Sequence, residues 1–133
     1  MIPFDKAVAA LSSSDASERN SAAIMLMDLG NPVAVPPLIA AIECGENRQS
    51  RGTLIYALSA FDCSGRFEQL FSWALDGGFE ASCEALSIIR DQKLRPTSQE
   101  FGRCLRAVRA ASSSEADDEL VEELEALLED ENR

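Results

Sequence analysis

The sequence predicts an all-α fold: an α-solenoid of about eight helices, stacked as antiparallel hairpins. Three observations point there. Alanine and leucine are plentiful while aromatic residues make up only 6% of the chain, which favours helices over sheets. Apolar residues recur at helical spacing from one end of the chain to the other. Two kinds of apolar stripe alternate at a near-constant period, as stacked helical hairpins require.

The first kind of stripe occupies i, i+3, i+4 and i+7, one face of a helix. It reads Phe4, Ala7, Val8 and Leu11, then Val35, Leu38, Ile39 and Ile42, then Phe67, Leu70, Phe71 and Ala74, then Phe101, Cys104, Leu105 and Val108. Its first members are 31, 32 and 34 residues apart. The second kind occupies i, i+1, i+4 and i+7. It reads Ala22, Ala23, Leu26 and Leu29, then Leu54, Ile55, Leu58 and Phe61, then Ser82, Cys83, Leu86 and Ile89, then Leu120, Val121, Leu124 and Leu127. Arg19 stands three residues before the first of these and Arg51 three before the second, with Phe79 and Asp117 in that place afterwards.

Taken in order, the stripes and turn residues predict helices over 3–12, 16–29, 34–44, 47–61, 65–76, 79–93, 97–111 and 115–130. The first ends in Ser12-Ser13-Ser14-Asp15. The second is closed by Gly30-Asn31-Pro32, where glycine ends a helix and proline prevents its continuation. The third carries Pro36 and Pro37 in its first turn, where missing N–H groups cost little, and ends at Gly45. The fourth stops at Asp62-Cys63-Ser64-Gly65, the fifth at Gly77-Gly78 and the sixth before Arg95-Pro96. Thr97 with Glu100 has capping-box spacing at the seventh, and Ser114 with Asp117 is a weaker acidic version at the eighth. A hairpin this short cannot bury its own stripe, so stacking is the economical solution. An ordinary helical bundle with look-alike stripes is the alternative.

The stretch "SERNSAAIMLMDLGNPVAVPPLIAAI" resembles the HEAT-type repeat in its short bacterial form. The residues that carry the resemblance are Arg19, Ala22, Ala23, Leu26, Leu29, Gly30, Asn31, Pro32, Val35, Pro36, Leu38 and Ile39. The match is good over 17–44, moderate over 47–76, weak over 79–111 and only a pattern at the two ends. The resemblance implies a right-handed stack whose second helices line a concave, binding surface. It brings no catalytic residues. Relatives mostly bind proteins, and some assist chromophore attachment in phycobiliprotein systems.

Composition narrows the chemistry. The 133 residues predict one domain, 1–133, with 113–133 as an acidic C-terminal capping helix. The absence of histidine excludes Ser-His-Asp and Cys-His catalysis and His-ligated zinc. Cys44, Cys63, Cys83 and Cys104 lack C-x-x-C spacing. Two disulfides are formally possible, but free thiols in a reducing compartment are the expectation. Cys83 and Cys104 fall on core stripes, whereas Cys63 is expected to be structural, in an exposed turn. No signal peptide and no membrane span is predicted, so a cytoplasmic location is expected. No cofactor or metal is implied.

Charge is uneven. Of the net charge of −11, residues 113–133 carry −9, from ten acids and Arg133, and the remainder carries −2. This balance disfavours nucleic acid and favours a basic protein partner.

On helix 65–76 the candidate binding residues are Gln69, Ser72 and Asp76, flanked by Glu68 and Trp73. Trp73, the lone tryptophan, either anchors a partner or fills a gap between repeats. Arg103, Arg106 and Arg109 form a basic stripe on helix 97–111, which either meets an acidic partner or pairs with Asp118, Glu122 and Glu125 of the last helix. Those acids either keep the end of the stack soluble or steer a basic partner. The leading expectation is a non-enzymatic protein-binding module, in its sharpest form an immunity protein that occludes a basic toxin or nuclease. The alternative is a lyase-like or chaperone-like HEAT relative acting on a chromophore-bearing protein. The oligomeric state stays open.

Overall fold

The computed structural model describes residues 3–47, 50–76, 78–112 and 118–131. Among these, the chain is all-helical. Eight α-helices follow one another: α1 (Pro3–Ala10), α2 (Ala16–Leu29), α3 (Val35–Glu43), α4 (Gly52–Leu58), α5 (Phe67–Asp76), α6 (Gly78–Asp91), α7 (Ser98–Ser112) and α8 (Asp118–Glu131). Short 3-10 turns cover Pro32–Ala34 and Gly45–Asn47. No helix among the described residues is long and apolar enough to cross a membrane.

The punctuation read from the sequence has physical counterparts. Gly30 caps α2 at φ 68°, a left-handed conformation that suits glycine, and its N–H donates to the Leu26 carbonyl. Asn31 accepts from the Val33 N–H at 3.0 Å and starts the turn that delivers Pro36 and Pro37 into the first turn of α3. The Thr97–Glu100 capping box is complete: Thr97 Oγ1 accepts from the Glu100 N–H at 3.1 Å, and Glu100 Oε1 accepts from the Thr97 N–H at 2.9 Å. The Ser114–Asp117 cap lies outside the described residues.

The fourth helix is much shorter than the predicted 47–61. At its start, the Asn47 side chain donates to the Ala41 carbonyl, which ties residue 47 to the end of α3 instead. Gly52 then meets α6 so closely that a Cβ there would lie 2.9 Å from Glu80 Cβ. At its end, Gln92 takes over the backbone. Its Oε1 accepts from the Cys63 N–H and its Nε2 donates to the Phe61 carbonyl, both at 2.8 Å. α6 ends by a different device. Lys93 sits at φ 54°, the Leu94 N–H reaches back to the Ile89 carbonyl and the Lys93 N–H to that of Arg90. This is a Schellman motif built without glycine.

Neighbouring helices pair as α1–α2, α3–α4, α5–α6 and α7–α8. Helices two apart also pack, α2 on α4, α4 on α6 and α5 on α7, and α8 additionally meets α5. One apolar cluster runs through all of them, from Ala7 to Leu128. Of the stripe positions, all are buried or half-buried except Leu29 and Cys83.

Cys83 corrects the sequence register. The buried residues of α6 are Ala81, Ser82, Ala85, Leu86, Ile88 and Ile89. Those of α4 are Gly52, Leu54, Ile55, Ala57 and Leu58, with Arg51 just before them. Burial therefore sets Ala85, Leu86 and Ile89 against Leu54, Ile55 and Leu58, three residues later than the stripe assignment. Ser82, not Phe79, then stands in the place of Arg51. The hydrogen bonds agree, because Arg51 donates to the Ile42 carbonyl and Ser82 donates to Ala74, the stripe equivalent of Ile42. Two thiols differ from expectation, Cys63 being buried and Cys83 exposed; Cys104 is buried as its stripe position implies, Cys44 is exposed, and all four are free.

Candidate binding surface

Two buried arginines organise the links between hairpins. Arg19 donates from one terminal nitrogen to the Ser13 carbonyl at 2.8 Å and from the other to Ser50 Oγ at 2.9 Å. Arg51 repeats the pattern one hairpin later, reaching the Ile42 carbonyl at 3.4 Å and Asp76 Oδ1 at 3.2 Å. Each holds its own hairpin with one nitrogen and the next with the other. The arrangement accounts for Asp76, one of the predicted binding residues: it is half-exposed but engaged by Arg51.

The face of α3, α5 and α7 carries a second set of links. Gln69 Nε2 donates to Glu43 Oε1 at 2.8 Å, and Arg66 donates to Gln69 Oε1 at 3.4 Å. Arg103 grips Glu68 with two nitrogens, Nε to Oε2 at 2.6 Å and a terminal nitrogen to Oε1 at 2.8 Å. The Arg103 hydrogen bond holds the Glu68 carboxyl below its ordinary range, and Glu68 in turn raises Arg103. So Glu68, Gln69 and Arg103 join helices across this face, and the partner of Arg103 lies on α5 and not, as the sequence suggested, on α8. Ser72 and Arg106 are exposed on the same face.

Trp73 requires a correction. It is only 2% exposed, part of the central cluster with Phe71 and Ala74, so its ring offers no face to a partner. The α5 stripe is wide: Phe67, Leu70, Phe71, Trp73 and Ala74 are all buried because α5 packs against α6, α7 and α8 together. That demand for apolar area on several sides absorbs the tryptophan. Cys104 and Cys63 are inert for a related reason. Burial pushes the Cys104 thiol up to about 12 and raises Cys63 as well, away from the thiolate a nucleophile needs.

The last helix is docked by Val121, Leu124, Leu127 and Leu128, all buried. Glu122, Glu123 and Glu129 face solvent and Glu125 is half-buried. The side chain of Asp118 lies outside the described residues. Glu123 accepts from Arg90 of α6 at 2.9 Å. Among the described residues, no group of three or more Cys, Asp or Glu side chains is placed to hold a metal ion.

Between α6 and α8 lies a groove of about 490 Å³, lined by Leu75, Phe79, Leu86 and Leu120 and by the polar Asp76, Ser82, Arg90, Glu119 and Glu123 among others. Phe79, at its mouth, is 84% exposed. Sequence reasoning noticed Phe79 only as a departure from the arginine pattern; an aromatic residue on a polar helix start was the signal that could have flagged it. Compared with known protein families, curated proteins and solved structures, the chain has no significant match.

Proposed function

We propose that the chain is a HEAT-like α-solenoid that acts in the cytoplasm as a non-enzymatic protein-binding module with a basic protein as partner, a toxin or nuclease being the sharpest case. One observation supports the stacked architecture above the rest. Every side-chain hydrogen bond among those described either joins residues at most nine apart or spans 25 to 35 residues, from Arg51–Asp76 to Arg103–Glu68. The long ones cluster about the 31–34-residue stripe period, the signature expected of units that touch only their neighbours.

The binding reading rests on α8. Its buried leucines hold the helix against the core, so its glutamates form a fixed acidic row rather than a solvated tail. Ser72 on α5 and Arg106 on α7 are exposed candidates as well, beside the exposed Glu122 and half-buried Glu125 of α8 in the set offered to a partner. The experiment is capture of a partner with the full chain as bait, at about 0.05 M and about 0.5 M salt, where screening differs by a factor of roughly three in range. A basic protein retained at low salt and released at high salt is the expected result. Capture that ignores salt, or turnover of a substrate with no partner, removes the reading.

A further inference from the structure

We propose that Ser50 is a phosphorylation site, and that the buried Arg19 receives its phosphate and so fastens the first hairpin to the second. The proposal is independent of the binding-module reading. Arg19 is only 5% exposed. Its terminal nitrogens meet neutral oxygens, the Ser13 carbonyl and Ser50 Oγ, and its buried Nε has no hydrogen-bond partner among the described residues. No carboxylate among those residues pairs with it. Asp15 and Glu18 are close in sequence, but they serve the Ser17 N–H and the Ser13 hydroxyl. A buried cation without a counter-ion has lost its water and gained little in exchange.

Arg51 shows what is missing. Its acid, Asp76, stands 25 residues after it. The same step from Arg19 reaches Cys44, a thiol instead of a carboxylate. Where Arg51 meets a carboxylate, Arg19 meets a hydroxyl, a group to which negative charge can be added. Among the described residues, Ser50 is the one hydroxyl that accepts from a cation. Ser13 and Ser64 donate to the carboxylates of Glu18 and Asp62, which would repel a phosphate, while Ser59 and Ser82 donate to backbone carbonyls. Ser50 is half-buried and lies outside the helices, between Asn47 and Gly52. Arg48 before it and Arg51 after it suit a kinase with an acidic substrate groove.

The step needs a serine kinase and a nucleoside triphosphate. Ser50 Oγ bonds to the γ-phosphorus as the bond to the bridging oxygen breaks, the hydroxyl proton passes to the kinase's base, and the diphosphate leaves. The phosphate brings close to two negative charges and three acceptor oxygens to a guanidinium that already points at Oγ. The added charge-assisted hydrogen bonds would hold α2 to the segment before α4 and stiffen the first junction of the stack.

The test compares the full chain carrying phosphoserine at position 50, installed during synthesis, with the unmodified chain. The phosphate is expected to raise the thermal midpoint by about 4 °C or more. Phosphoserine at position 64, beside Asp62, should not raise it. In Arg19→Gln the gain at position 50 should vanish. Should that variant fold poorly, phosphorus resonances of the wild-type phosphoprotein give the same answer: the second phosphate pKa should lie lower in the folded chain than in urea, because a neighbouring cation favours the dianion. Protein taken from its native cells should carry phosphate at Ser50. An unchanged or lowered midpoint, an undisplaced phosphate pKa, or phosphate confined to other residues in those cells overturns the proposal. A gain produced equally by free inorganic phosphate on the unmodified chain also overturns it, assigning Arg19 to a diffusible anion instead.

Discussion

Arg51 and Ser82 stand at equivalent places in successive helices, yet the two junctions they serve are built differently. At the first, a buried guanidinium ties the end of α3 to the end of α5, and Gly52 beside it lets α4 lie against Glu80 of α6. At the second, a hydroxyl ties α6 only to its own hairpin, and the link to α8 falls to the surface pair Arg90–Glu123. Beside the second junction lies the groove with the exposed Phe79. A long cationic side chain can bridge two units because its stem packs in the core while its head finds oxygen on both sides. A serine has no such reach.

The largest test of this contrast is the helix both junctions share. Trp73→Ala should cost about 3–5 kcal/mol, read as a fall in the urea midpoint, because it empties a fully packed site in α5. A small effect would mean that α5 is not the common support. Next, Arg51→Ala should cost about 2 kcal/mol and Ser82→Ala about 1 kcal/mol, since the first loses two hydrogen bonds and packing and the second loses one bond. Equal costs would erase the distinction between the junctions. Gly52→Ala should destabilise by about 1–2 kcal/mol despite alanine's better helix propensity, because the new methyl group would meet Glu80 Cβ, an atom fixed to the backbone.

The smallest effect belongs to Glu68. Its pKa is lowered by Arg103, so the stabilisation is present above the unfolded value and is lost as pH falls through the folded one. Wild type should melt slightly above Glu68→Gln at neutral pH. The gap should close as pH drops below about 4.5, the ordinary value for this carboxyl. A gap that persists in acid would show that the residue acts through packing instead.

Helix order was legible because it depends on local chemistry. Gly30, Pro36 and the Thr97–Glu100 box act within a few residues of themselves, and each does what its spacing implies. Register on α6 was not legible. Ser82 and Cys83 look equally suited to a stripe by composition, and only packing on both sides of the helix shows that the serine is inside and the thiol outside. The candidate surface suffered in the same way. Trp73 reads as a hot spot until α5 is seen packing against α6, α7 and α8, and Glu68 and Arg103 read as ligands for others until they are found gripping each other across 35 residues. Phe79 was the reverse case: its aromatic ring on a polar helix start was visible in the sequence, but the arginine pattern drew the eye to what was missing there rather than to the ring.

That no side-chain hydrogen bond among those described reaches further than 35 residues has a consequence for synthesis on the ribosome. Each link becomes available once about one more hairpin has emerged, and none waits for the last residue to find the first. Closing a loop of this length costs little more than closing one half as long, and short-range topology folds fast. The chain is thus suited to vectorial folding, each hairpin sealing the one before it. The span that closes last is the one where the arginine gives way to serine.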